Sequence, residues 1–119
     1  MKEEAENWLN QAEEDLETAK YNFNGKRFSA AAFFAQQSAE KALKALLLSK
    51  GHSLIKIHDL VKLARILKAP TLIVEKCADL NPAYIATRYP EVIKGFVGSE
   101  VGTLLSDAEE VVEWTKKSL

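Results

Sequence analysis

The sequence predicts an all-α protein, an up-and-down bundle of four main helices plus a short extra helix. Three observations predict it. Apolar residues recur at steps of three and four through each long segment. Glycine and proline fall between those segments, at Asn24-Gly25, Gly51, Ala69-Pro70 and Asn81-Pro82. No alternating stretch is long enough for a strand, and only Thr71-Leu72-Ile73-Val74 is locally ambiguous.

The first segment carries Trp8, Leu9, Ala12, Leu16, Ala19 and Phe23 on one helical face. Glu6, Glu13, Glu14 and Glu17 fall mostly elsewhere and read as a solvated face. Gly25 is expected to close this helix in the left-handed conformation. A second helix is predicted from about Phe28 to Ser49, closed by Gly51. Phe28, Ala32, Ala35, Ala39, Ala42, Leu43 and Leu46 share one side of it, and the alanines allow a neighbouring helix close approach. Phe33 and Leu47 lie toward the other side, which marks a central helix rather than a surface one.

After a connection at 52–58, a short helix is expected at about His58–Leu67, with Leu60, Leu63, Ala64 and Leu67 inward. Ala69-Pro70 ends it. Thr71 is the expected N-cap of a fourth segment through Leu80, and Asn81-Pro82 is expected to break the chain. A turn of helix at Ala83–Thr87 then leads into Arg88-Tyr89-Pro90. Residues 91–99 read as a flexible loop, and Ser99 as the cap of a last helix with Val101, Leu104, Leu105, Ala108, Val111 and Val112 in one stripe.

A chain of 119 residues suits one domain, 1–119, with 47% apolar residues for a core and 28% charged residues to cover it. No apolar run approaches the ~18–20 residues that span a bilayer. The acidic start lacks the apolar stretch of a signal peptide. A single cysteine, Cys77, forms no internal disulfide and reads as a small core residue. The expectation is a soluble cytoplasmic protein without a membrane partner.

The net charge of -1 hides a segregation. Residues 1–19 sum to -6, residues 20–98 to +8 and residues 99–119 to -3. Such asymmetry marks either a site for an anionic ligand or acidic helices that pair with basic ones.

Gln36, Gln37, Glu40, Lys41 and Lys44 interrupt the otherwise apolar second helix. Gln37, Glu40 and Lys44 fall within about 60° of each other on the helical wheel. They read two ways. One is an exposed edge with a Glu40–Lys44 pair worth only ~0.3–0.5 kcal/mol. The other is a polar stripe lining a groove, able to hold a phosphate or a base. His52 and His58 are six apart with no HxxxH nearby, so no metal site is expected. His58-Asp59-Leu60 reads as a histidine beside a capping residue, or as a ligand-binding or proton-transfer group. Arg88 presents a planar fork for phosphate or carboxylate, or pairs with an acid of a terminal helix while Tyr89 packs. Trp114 lies off the main stripe of its helix, where it fills a gap in the bundle or serves a dimer interface. No Gly-rich phosphate loop, paired catalytic carboxylates or nucleophile motif appears.

Taken together, the segments resemble the HEPN family, named for nucleotide binding in higher eukaryotes and prokaryotes. The residues that carry the resemblance are Trp8-Leu9, Ala12 and Asp15-Leu16, then the run Ala32 to Leu46 with its Gln36-Gln37 and Glu40-Lys41 pairs. His58-Asp59-Leu60, Tyr84 and Arg88-Tyr89-Pro90 follow in the family's order. The resemblance implies a helical bundle, commonly a homodimer. It also implies frequent pairing with a small nucleotidyltransferase-type protein in a toxin–antitoxin system. Many HEPN toxins are ribonucleases with an arginine followed four to six residues later by a histidine. Here both histidines precede Arg88, and no arginine has a histidine at that spacing.

The expectation is therefore a non-catalytic HEPN protein that binds a nucleotide-like or phosphate-bearing ligand, a nucleotidyltransferase partner, or both. Its ligand-binding set is Gln37, Glu40, Lys41, Lys44, His58 and Arg88; no cofactor or metal is expected. The alternative is a ribonuclease in which His58, close to Arg88 in the fold, replaces the missing downstream histidine.

Overall fold

A computed structural model describes residues 3–86, 89 and 96–119. Among them are five helices and no strand: α1 Glu3–Asn24, α2 Phe28–Ser49, α3 Leu60–Ile66, α4 Thr71–Ala86 and α5 Gly98–Ser118. The all-α helical bundle expected from periodicity is present. Thr87, Arg88, Pro90 and residues 91–95 of the loop expected at 91–99 lie outside the described residues, and the last helix already begins at Gly98 within that expected loop.

α2 is the axis, and it packs against α1, α3, α4 and α5. It buries Ala32, Ala35, Ala39, Leu43 and Leu46, and also Ala31, Ala45, Leu47 and Leu48 on its remaining sides. Each long apolar side chain removed from water contributes roughly 1.5–3 kcal/mol, so α2 supplies much of the drive to fold. Small residues set the spacing along one seam, where Ala12 of α1, Ala42 of α2 and Val112 of α5 form a buried cluster. The larger core joins Leu43, Leu46 and Leu47 to Leu60 and Leu63 of α3, Leu80 of α4 and Val111 of α5. Trp114 packs half-buried against this core, which favours the gap-filling reading.

Helix ends depart from expectation in instructive ways. α1 closes with Lys26, not Gly25, in the left-handed region at φ 61°. The amide of Arg27 donates to the Asn22 carbonyl at 2.8 Å and that of Lys26 to Phe23 at 3.0 Å. This double bonding makes Lys26 the reversing residue, one position beyond the glycine. Lys68 does the same after α3 at φ 57°, whereas Gly51 serves after α2 as expected.

α3 begins at Leu60, not His58, because Asp59 caps it and accepts from the amides of Val61 and Lys62. Thr71 is the first residue of α4 rather than its cap; the Pro70 carbonyl accepts from Ile73 and Val74. The expected break at Asn81-Pro82 does not occur, and Ala83–Ala86 continue the same helix. Proline removes one helical hydrogen bond there, but anchors on either side hold the helix. Asn81 accepts from the Leu60 amide at 2.7 Å, and Ala83 is buried in a cluster with Ala31, Ala32 and Val101. Ser99 lies within the first turn of α5, and Val97 takes the cap position without a side-chain bond. Gly98 allows that entry, since a β-carbon would stand 3.1 Å from the Phe28 ring.

Candidate functional site

The polar stripe of α2 turns inward. Gln36, Glu40 and Lys44, four residues apart, form one row, and they are only 0%, 4% and 5% exposed. Glu40 is the hub. Its Oε1 accepts from Gln36 Nε2 at 3.1 Å, and its Oε2 accepts from Lys44 Nζ at 3.0 Å. Oε2 is also 2.9 Å from His58 Nδ1. Gln37 lies one residue off the row and is linked through Gln36 Oε1 at 2.7 Å. The Lys44 ammonium sits 5.7 Å over the Trp8 ring, a cation–π contact.

Gln36, Glu40 and Lys44 thus form neither an exposed edge nor an open groove wall. The small value expected for a surface pair does not apply, because leaving one member of a buried pair without its partner costs ~3–5 kcal/mol. Lys41 points elsewhere and donates to Asp15 Oδ2 at 2.6 Å. Gln11 donates to the other Asp15 oxygen at 3.0 Å, so buried Asp15 is fully engaged.

His58 carries the hub to the surface. Its side chain is 47% exposed while its Nδ1 remains on buried Glu40. Tyr84, on α4, stacks on the imidazole with ring centres 4.3 Å apart and planes 18° from parallel. Both line a cleft of about 430 Å³ with Asp59, Asn81, Pro82 and Ile85. Asn81 clamps its floor: Nδ2 donates to Asp59 Oδ1 at 2.8 Å while Oδ1 accepts from the Leu60 amide. That bond from Asn81, with the amides of Lys62 and Val61, holds the Asp59 carboxyl below its ordinary value against the opposing effect of burial. A stacked aromatic pair, an ionised carboxylate and an apolar wall suit a flat, nitrogen-rich ring.

Of the six residues expected to bind ligand, Glu40, Lys44 and His58 meet directly. Gln37 joins at one remove, and Lys41 sits in a separate pair with Asp15. Arg88 lies outside the described residues, and with it the expected convergence on His58. Sequence reasoning missed Asn81, Asp59 and Tyr84 as site residues. The signal available was spacing: Asn81 and Tyr84 are three apart and share a helix face, provided the helix runs through Pro82.

A second cleft, about 440 Å³ between α4 and α5, is lined by Asp79, Glu100 and Asp107 among others and is ill suited to phosphate. Cys77 is buried, and burial pushes its thiol up to about 12, with the charges of Asp107 and Asp59 adding to the effect. Such a thiol is no nucleophile at neutral pH. Among the described residues no group of three or more His, Cys, Asp or Glu side chains is placed to hold a metal ion. No helix among them is long and apolar enough to cross a membrane.

Comparison with known proteins places this geometry. The HEPN domain family model matches residues 5–119. The crystal structure of TT1696 from Thermus thermophilus is similar with a TM-score of 0.90 and 29% identity, covering 97% of this chain and 98% of that one. ST0689, described as an archaeal HEPN homologue, gives a TM-score of 0.85 at 30% identity over 99% of this chain and 98% of that one. A HEPN domain protein of Thermotoga maritima, TM0613, shares the fold with a TM-score of 0.78 at 21% identity, over 93% and 95% of the two chains. Among curated proteins none matches.

Proposed function

The chain belongs to the HEPN family, and from that premise we propose a non-catalytic HEPN protein whose His58–Tyr84 cleft binds a nucleotide-like ligand. The observation that carries the reading is the His58–Tyr84 stack at the cleft, anchored through Nδ1 on the buried Glu40 carboxylate. A base stacks on such a platform with ~1–3 kcal/mol of favourable energy. The phosphate end would remain outside, where exposed Lys62 is near enough to Asp59 to influence its charge. Glu40 and Lys44 act as positioning groups in this reading, because both are buried and already paired. Gln37, through Gln36, completes the network that fixes Glu40, and Arg88 retains its expected role toward phosphate.

The same proposal includes a homodimer and a nucleotidyltransferase-type partner in a toxin–antitoxin pair. Family membership supports both.

Isothermal titration of the full chain with AMP, GMP, CMP and UMP tests the ligand. Binding of at least one nucleotide is expected, and Tyr84→Ala is expected to weaken it about tenfold, as the loss of one stacking contact predicts. Pull-down of the co-encoded neighbour tests the partner. A chain that binds none of the nucleotides and retains no such neighbour overturns the proposal.

A further inference from the structure

The charged group of the cleft is an acceptor, the Asp59 carboxylate, and this says which part of a nucleotide belongs there. Glu40 already receives hydrogen bonds from Gln36 and Lys44, so its contact with His58 Nδ1 requires the hydrogen on the imidazole. In the neutral ring Nε2 is then left as an acceptor. Asn81 spends its oxygen on the Leu60 amide and gives one of its two amide hydrogens to Asp59. Asp59 Oδ1 takes three donors, from Val61 N at 3.0 Å, Lys62 N at 3.3 Å and Asn81 Nδ2 at 2.8 Å. Those bonds fix the carboxylate plane, and among the described residues they leave the acceptor capacity of Oδ2 unspent. The other lining residues, Pro82 and Ile85, present apolar surface.

A phosphate meets a negative carboxylate, and none of the described lining residues is a cation. A flat ring bearing an N–H₂ group meets an aromatic platform, apolar walls and a charged acceptor. We infer that the cleft selects an amino-bearing nucleobase (adenine, guanine or cytosine) over the same ring without the amino group, with Asp59 as the specificity-determining acceptor. The inference rests on the nucleotide-binding reading above and narrows it. A hydrogen in place of the amino group would leave the carboxylate without that donor, and sites built around a hydrogen bond reject analogues that lack it.

Two nucleotide pairs that differ only at this group test it. Titrations of the full chain with AMP against purine riboside monophosphate, and GMP against inosine monophosphate, are expected to favour the amino member of each pair by about tenfold or more. Asp59→Asn keeps a capping oxygen for α3 and adds a donor, so it is expected to bring both ratios close to one. Equal affinity within the pairs in the wild-type chain overturns the inference while leaving nucleotide binding intact. A preference that survives Asp59→Asn also overturns it, by removing the carboxylate as the discriminating group. Failure of all four nucleotides to bind overturns the underlying reading instead. The wild-type ratios decide the question even where the variant does not fold.

Discussion

Asp107 is the residue at which burial and charge are most at odds. Its Oδ1 accepts from Lys76 at 3.3 Å, while its buried Oδ2 has no hydrogen-bond partner among the described residues. Lys76 is shared, because its ammonium also lies 2.5 Å from Glu110. Burial is the main cause that raises the Asp107 carboxyl above its ordinary value, with the Asp79 carboxyl adding to it and Lys76 opposing. A native pKa above the unfolded one means that the folded state binds more protons between the two values, so stability falls as pH rises through that window. Asp107→Asn removes the titrating group and leaves Glu110 to pair with Lys76. The variant is expected to have the higher denaturant midpoint near pH 8. That advantage is expected to shrink as pH falls toward the ordinary aspartate value of 3.8. Parallel urea titrations across this range check it, and an advantage that grows on acidification would reverse the sign. Asp59 works the other way: its lowered carboxyl contributes stability above the ordinary value that is lost as pH falls through the lowered one. At this scale the sequence revealed residue types but not pairings. Glu40, Lys44 and His58 were identifiable, whereas Asp15 with Lys41 and Asp107 with Lys76 join residues 26 and 31 positions apart. Helical periodicity carries no information over such separations.

Helices were legible where periodicity is long and misjudged where they end. α2 spans Phe28–Ser49 as its pattern predicts, because an uninterrupted apolar face of that length has no competing arrangement. Ends depend on one or two backbone bonds, and residue preference decides them only weakly. Lys26 and Lys68 adopt positive φ because the turn must reverse there to seat the next helix. A side chain in that conformation costs ~1 kcal/mol or more relative to glycine. Lys68→Gly is therefore expected to stabilise the protein by about 0.5–1 kcal/mol, raising the melting temperature by a few degrees. A melting temperature that falls would show that the lysine side chain offsets its backbone strain. Pro82 gives the same lesson in reverse. A proline signals a break, yet Asn81 and Ala83 are both fastened to other helices, and tertiary anchoring overrides the local preference. Because the helix continues, Tyr84 arrives one turn from Asn81 and reaches His58. The missed site and the misplaced break thus have one cause.

At the scale of the whole molecule, α2 touches every other described helix, so no helix pair can leave without exposing part of the common core. A single cooperative transition is expected. Trp8 and Trp114 lie on α1 and α5, the two ends of the described chain. Their fluorescence and the helical circular dichroism signal should share one urea midpoint. Separated midpoints would mean that the terminal helices unfold independently of the centre. The charge segregation also resolves at this scale. The acidic terminal helices do pair with the basic middle, through Asp15 with Lys41 and through Asp107 and Glu110 with Lys76. The pairing reading thus accounts for part of the +8 in residues 20–98. By itself the sequence determined the all-α class, the centrality of α2 and the family resemblance, because 3.6-residue periodicity and short motifs are local properties of the chain. Only the tertiary structure decided that Gln36, Glu40 and Lys44 face inward and that His58 carries their network to the surface beside Tyr84. Burial and partnership are settled by which helices meet, and that depends on packing among residues far apart in sequence.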